Sequence, residues 1–476
     1  MGRDEGTDVM NRNGNGNGNG HGATNGNGHG ATNGNGHGAT NGNGHGHGAL
    51  HGDSAPHGNG NGNGANGRAH RKRGLMEAVR PLLLRRWAGP VLVVGGGGYI
   101  GTHVVEQLLA EGWRVRVLDR LLFGKAPLQD FFGNPRFELV EGDATDILKL
   151  IEAMQGASAV VHLAGLVGDP ACAVDESFTR HANVFATRLI KKAAQSLGVR
   201  RFVFASSCSV YGINPAEVSE TSEVNPVSLY ARTKVESERE LLSDADEDFC
   251  VTTLRFATVF GHSRRPRFDL VANLFTAQAV NDGRITLMGP SQWRPFVHVR
   301  DLARAIVAVL DADPERMRGQ VFNVGDRRLN MTIGQLARLV QETVSRARRV
   351  EVVELPSKDL RNYAVSFEKI RRELGFEAET LMEAGIQEIV AEFDKGTYGH
   401  YKDPVYSNLA MTKRALPDLR RGTAHLYEPV VEAAGPRSRD GLGNGAGPAA
   451  PHVEHVLDAG PEDRLVAGLG SAVVLL

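Results

Sequence analysis

Between about residues 88 and 260 the chain alternates two hydrophobic patterns. Short apolar, β-branched runs read as strands: Pro90-Val-Leu-Val-Val94, Arg114 to Leu118, Phe137-Glu-Leu-Val140, Ala159-Val-Val-His-Leu-Ala164 and Arg201-Phe-Val-Phe-Ala205. Between them lie stretches with apolar residues at helical spacing, such as Tyr99 to Gly112. Strands that are apolar at every position, separated by helices, predict a parallel sheet covered on both faces. The expected fold class is therefore α/β, with a doubly wound parallel sheet over residues 90–260.

Outside that span the pattern changes. Residues 1–74 form a Gly/Asn/His repeat whose few apolar side chains cannot repay the entropy of ordering, so they read as a disordered arm. Its histidines, among them His21, His29, His37 and His45, are spaced on a flexible tract without preformed metal geometry, and a solvated linker is the reading. Residues 75–89 read as a basic helix or linker, and residues 401–434 as a C-terminal extension. Residues 435–476, rich in Gly, Pro and Ala, read as a disordered tail. No apolar run approaches the about 20 residues that span a bilayer, and no signal-peptide core is present, so the expectation is a cytoplasmic protein without a membrane partner. A formal charge of −1 argues against nucleic acid as the main partner. The three cysteines, Cys172, Cys208 and Cys250, lack CxxC spacing, so neither a disulfide framework nor a metal site is expected.

The first strand runs into Gly95-Gly-Gly-Gly-Tyr-Ile-Gly101. Gly96, Gly98 and Gly101 make GxGxxG, and Gly95, Gly98 and Gly101 make GxxGxxG. In either template glycines permit a tight turn and close approach of the backbone to a pyrophosphate, whose charge meets the free N–H groups of the helix opening near Tyr99 and Ile100. The second strand ends at Asp119, where an acid bonds a ribose 2′-hydroxyl and repels a 2′-phosphate. That favours NAD over NADP, with the neighbouring Arg120 as a residue able to accept a phosphate. Further on, Tyr230-Ala-Arg-Thr-Lys234 sets a phenol and an ammonium one helical turn apart on one face. A fixed cation beside a phenol stabilises the phenolate and makes a base.

A strand followed by Gly95-x-x-Gly98-x-x-Gly101, upstream of Tyr230-x-x-x-Lys234, resembles the NAD-dependent epimerase/dehydratase family, the extended short-chain dehydrogenase/reductases acting on nucleotide sugars. The resemblance spans about residues 90–400 and implies a Rossmann-like domain with NAD as cofactor. It also implies a smaller C-terminal α/β subdomain for the substrate, mainly residues 261–400 and interleaved with the first, and a homodimer joined by a four-helix bundle. Gly142-Asp143-Ala144 resembles the adenine contact. His162-Leu163-Ala164-Gly165 resembles the strand end that lies along the cofactor. Asn183 resembles the asparagine that kinks the next helix.

In Phe204-Ala-Ser-Ser-Cys-Ser-Val-Tyr-Gly212, alignment on Val210-Tyr211-Gly212 puts Ser207 at the family's catalytic Ser/Thr. The implied triad is Ser207 to orient the sugar hydroxyl, Tyr230 to take its proton, and Lys234 to lower the phenol's pKa and hold the nicotinamide ribose. Where dehydratases of the family carry Asp-Glu, and decarboxylases usually a Glu, this chain has Cys208 and Ser209. The expectation is 4-epimerisation of a nucleotide sugar, with dehydration or ketoreduction of a nucleotide-linked sugar or nucleoside, and a non-catalytic NAD-binding protein, as the alternatives. Cys208 reads either as a chemical group near Cys172 or, preferably, as a small buried thiol filling space. Arg294, in Arg294-Pro-Phe-Val-His-Val-Arg-Asp301, and Asn273 and Arg361 resemble contacts to the nucleotide diphosphate, with solvated surface residues as the plainer reading. Thr258 stands where many members have an asparagine at the sugar diphosphate.

Overall fold

The computed structural model describes residues 89–357, 359 and 361–423; the predicted arm (1–74), all but the last residue of the basic stretch (75–89) and the tail (435–476) lie outside the described residues. The first half runs β1 Val91–Val94, α1 Gly101–Ala110, β2 Val115–Asp119, β3 Phe137–Glu141, α2 Ile147–Met154, β4 Ala159–His162, α3 Asp169–Cys172, α4 Glu176–Arg180, α5 Ala186–Ser196, β5 Arg201–Ser207, α6 Leu229–Leu242 and β6 Cys250–Phe256. The second half runs β7 Thr258–Phe260, α7 Val271–Asp282, β8 Arg284–Met288, β9 Trp293–Arg294, β10 Phe296–His298, α8 Val299–Asp311, β11 Gln320–Val324, β12 Met331–Thr332, α9 Ile333–Ser345, β13 Glu351–Leu355, α10 Met382–Asp394 and α11 Asn408–Thr423.

Seven strands form one parallel sheet in the order β11-β6-β5-β4-β1-β2-β3. Successive residues of β1 point to opposite faces, and both sets are buried: Val91 and Val93 pack with Val104, Leu108 and Ile306, whereas Leu92 and Val94 pack with Leu150, Ile190 and Phe204. A strand covered twice has no polar face to show, which is why these runs are apolar throughout. Strand order reverses between β1 and β4, which pair in register with Val94 opposite His162. Beyond the carboxyl ends of those two strands lies the crevice where such sheets bind ligands.

From the second half β11 returns to pair with β6, and α8 sends Leu302 and Ile306 into the core over α1. A separate core, built on Phe260, Phe275, Ile285, Phe296, Leu336 and Val340, holds the smaller subdomain together. It carries three short strand pairs, β7 with β10, β8 with β13 and β9 with β12. Helix α9 starts with a capping box, Thr332 accepting from the Gln335 backbone while the Gln335 side chain accepts from the Thr332 N–H.

Candidate functional site

The glycine turn is shaped by contacts that admit no side chain. Gly95 has φ +88°, and a Cβ there would sit 2.8 Å from the Ala164 backbone nitrogen; one at Gly101 would sit 2.4 Å from the Gly95 carbonyl oxygen. The turn therefore brings the N-terminus of α1 against the ends of β1 and β4, in a cleft also lined by Gly98, Tyr99, Ile100, Leu163, Ala164 and Gly165. Asp119 closes β2 at the edge of this cleft, accepting from Gly97 N at 2.9 Å and Leu121 N at 2.7 Å. Burial raises its carboxyl pKa and the two N–H donors lower it. Arg120 is paired with Asp143 at 2.8 Å, and Asp143 also accepts from Thr145 N and Oγ1, each at 2.8 Å. Both line the cleft beside Ala144. A small-residue cradle, an acid at the end of β2 and the opening turn of α1 fit a dinucleotide with its diphosphate on the turn.

Ser207 is the last residue of β5, and Tyr230 and Lys234 lie on α6, which Ser228 caps by accepting from Ala231 N at 3.2 Å. The Ser207 side chain acts on the Tyr230 phenol, lowering its pKa against the larger effect of burial. The Lys234 ammonium donates to the Ala205 carbonyl at 2.7 Å and lies 5.8 Å from the Tyr230 ring centre. Burial dominates both groups. It holds the phenol above its ordinary range and brings the ammonium down to about 8. Asn183 ties the site together from a single π-helical turn, His181–Phe185. Its amide accepts from Leu166 N at 2.7 Å, donates to Leu166 O at 3.0 Å, and donates to Thr233 Oγ1 at 3.1 Å. One side chain thus fixes both the loop after β4 and α6.

The expected substrate residues sit differently. Asn273 is buried, donating to Tyr99 Oη at 3.1 Å, to Gly261 O at 3.3 Å and to Arg267 O at 3.0 Å, and accepting from Gly261 N at 3.0 Å. It is a structural knot between α7 and the β7 turn. Arg294 is fully buried, donating to Trp293 O at 2.8 Å, Arg361 O at 2.6 Å and Asp359 Oδ2 at 2.9 Å. Arg361 is held by Asp359 at 2.7 Å and by Asp169 of α3 at 2.6 Å. Thr258 is buried in β7, its N–H on the Pro295 carbonyl at 2.9 Å. None of the four lines the cleft. Cys208 is buried and donates to Arg255 O at 3.2 Å, and all three cysteines are free thiols. Cys172 packs instead near Tyr230, whose phenol it influences, and donates to Leu166 O at 3.3 Å.

A sequence profile of the NAD dependent epimerase/dehydratase family matches residues 91–325. UDP-glucose 4-epimerase of Mycolicibacterium smegmatis is 31% identical over 63% of this chain and 97% of its own length. The chain belongs to the NAD-dependent epimerase/dehydratase family. UDP-glucuronic acid decarboxylase 4 of Arabidopsis thaliana is 29% identical over 68% of the chain and 72% of its own length. Among solved structures, a dTDP-glucose 4,6-dehydratase of Streptomyces venezuelae with NAD bound superposes with TM-score 0.59 at 26% identity, covering 66% of this chain and 99% of that one. The relatives of this epimerase/dehydratase thus include epimerases, decarboxylases and dehydratases, and what they share is NAD and the Rossmann-type sheet. NAD is the cofactor of this family member.

Several residues of the cleft carry no motif. Phe123, Arg265, Arg267, Asn408 and Thr412 all line it. Arg267 grips Asp269 through two hydrogen bonds, at 2.9 and 3.1 Å. Asp269 in turn accepts from Asn408 N at 2.9 Å, and Asn408 donates to Val167 O at 3.2 Å, so the first turn of α11 is fastened across the cleft. Among the described residues no helix is long and apolar enough to cross a membrane.

Proposed function

We propose that this protein interconverts C4 epimers of a nucleotide sugar by reversible oxidation at C4, retaining its cofactor between turnovers. Bound NAD, cradled by Gly95 to Gly101, Asp119 and Lys234, supplies the acceptor and then the donor of the C4 hydrogen. The observation that carries the reading is that Tyr230 and Lys234 line the cleft on one face of α6, with Ser207 acting on the phenol from the end of β5 and Cys208 tied into the core at the position of an acid. Ser207 orients the C4 hydroxyl and Tyr230 takes its proton, returning it when the hydrogen comes back to the other face. The Lys234 ammonium, still mostly protonated at neutral pH with its pKa of about 8, supplies the positive charge that a buried phenolate needs. Arg294 and Arg361 meet the substrate diphosphate after exchanging it for Asp359 and Asp169, because Arg suits bidentate phosphate contact.

One observation favours a second reading, loss of water. Asp169 acts electrostatically on the Tyr230 phenol, and its Oδ1 is buried without a hydrogen-bond partner. A carboxylate there can take the proton from the carbon beside the transient ketone, the step that leads to loss of the leaving oxygen. One assay separates the readings: incubation with UDP-, dTDP-, GDP- and CDP-sugars, followed by mass and retention time. Unchanged mass with a new retention time, abolished in Tyr230→Phe, supports epimerisation. Loss of 18 mass units, abolished in Asp169→Asn, supports elimination.

A further inference from the structure

The segment from Gly261 to Arg267 is sewn to the glycine turn. Tyr99 Oη donates to Gly261 O at 2.7 Å, Ser263 Oγ donates to Tyr99 O at 2.8 Å, and Thr102 Oγ1 donates to Ser263 Oγ at 3.1 Å. The Arg265 N–H also reaches Ser263 Oγ, at 3.3 Å. These bonds fix the Arg265 backbone against the first turn of α1, and its side chain lies in the cleft wall, the guanidinium 3.5 Å from the centre of the Phe123 ring.

Among the described residues that guanidinium forms no ion pair. Arg265 is 3% exposed, and its Nε and Nη2 are buried without a hydrogen-bond partner. The acid whose charge reaches it, Asp269, is already held on both oxygens by Arg267. A buried cation without an anion is costly, and a stacked aromatic ring compensates only in part. The opening turn of α1, at the positive end of the helix dipole, offers a second attraction for negative charge. Through Ser263 the Arg265 segment is bonded to Tyr99 and Thr102 at the glycine turn, whereas the arginine beside Asp119 at the ribose edge, Arg120, is already paired with Asp143. The anion that completes Arg265 therefore belongs by the glycine turn and not at the ribose 2′ position.

We propose that Arg265 is a second arm of the diphosphate site, gripping the diphosphate of the bound dinucleotide from the segment opposite the glycine turn and so holding the cofactor in place. The chemistry recognised is a diphosphate. The nucleotide sugar carries one as well, and the test distinguishes the two sources.

Cofactor-stripped protein and its Arg265→Gln and Arg265→Lys variants are titrated calorimetrically with NAD, ADP, adenosine, NADP and UDP, and their unfolding midpoints are measured without ligand. Loss of a charge-assisted contact should weaken NAD and ADP by about ten- to a hundredfold in Arg265→Gln. Adenosine and UDP should stay within about twofold of wild type, with Arg265→Lys between the two proteins. The ligand-free midpoint of Arg265→Gln should equal or exceed that of wild type, since an unpaired buried charge has been removed. Unchanged NAD affinity overturns the proposal. So does UDP weakened with NAD intact, which assigns the arm to the substrate, or NADP weakened alone, which assigns it to a 2′-phosphate. A fall in the midpoint of both variants makes Arg265 a structural group and also overturns it. These readouts are binding and stability, so they stand apart from whether the reaction is C4 epimerisation.

Discussion

Beneath the catalytic strand lies a buried ion pair whose removal has a calculable effect. Glu238 sits one turn after Lys234 on α6 and accepts from Arg255 Nε at 3.0 Å and Nη2 at 2.8 Å; Ser206 Oγ donates to the same carboxylate. The side chains of Arg255 and Glu238 are 8% and 4% exposed. Arg255 continues the chain by donating to Tyr211 Oη at 3.0 Å, and Tyr211 donates to Asn323 at 2.7 Å. Glu238→Gln leaves the guanidinium charged, desolvated and facing an amide N–H₂. Breaking such a pair by removing one partner costs about 3–5 kcal/mol, a large part of the 5–15 kcal/mol that holds a typical domain. Replacing both partners by apolar residues of similar volume, as in Glu238→Leu with Arg255→Met, should instead be near neutral. Urea unfolding of the three proteins at pH 7 measures this. A Glu238→Gln loss below about 1 kcal/mol, or a double variant worse than the single, would refute the reasoning.

Two further outcomes follow from buried ionisable groups. Burial lowers the Lys234 pKa from 10.5 to about 8 in the fold, so kcat/KM should fall as pH rises through about 8, and Lys234→Met should lose turnover. From pH 8 to 10.5 the unfolded chain binds a proton that the fold does not, so wild-type stability rises across that window; Lys234→Met should be up to about 3 kcal/mol more stable than wild type at pH 7, a gain that vanishes by about pH 10.5. Burial alone would raise the Glu388 pKa, but His298 at 2.8 Å and Arg300 at 2.6 Å overcome it and hold the group at about 2. Its contribution, about 2–3 kcal/mol, should be complete above about pH 4.5 and lost as pH falls toward 2; Glu388→Gln should remove it, seen as an unfolding midpoint that falls less steeply than the wild type's between pH 4.5 and 2.

The sheet was legible because its inner strands, β1 above all, are runs of apolar residues covered on both faces, and the glycine turn because Gly95 and Gly101 stand where a Cβ has no room. Ser207, Tyr230 and Lys234 were legible as a set because the strand and helix that carry them are adjacent in the chain. The packing around the expected substrate residues was not. Arg294 and Arg361 resemble diphosphate ligands in sequence, yet their partners, Asp359 and Asp169, are fixed by long-range packing that no local pattern reveals. Asn273 has the composition of a ligand and the connectivity of a clasp, because its helix starts against the turn at Gly261. Arg265 lies in a polar turn that carries no motif, and only the fold brings Phe123 beneath it and Ser263 behind it. Likewise Asn408 and Thr412 enter the cleft from a helix at the far end of the described chain.

The central claim, reversible hydrogen transfer at C4, is tested most directly with a nucleotide sugar deuterated at that carbon and accepted in the sugar panel. The account predicts an epimer of unchanged mass with deuterium still at C4, in ordinary water and without added cofactor. An epimer that has exchanged its label with solvent, or a product lighter by water or carbon dioxide, would contradict it.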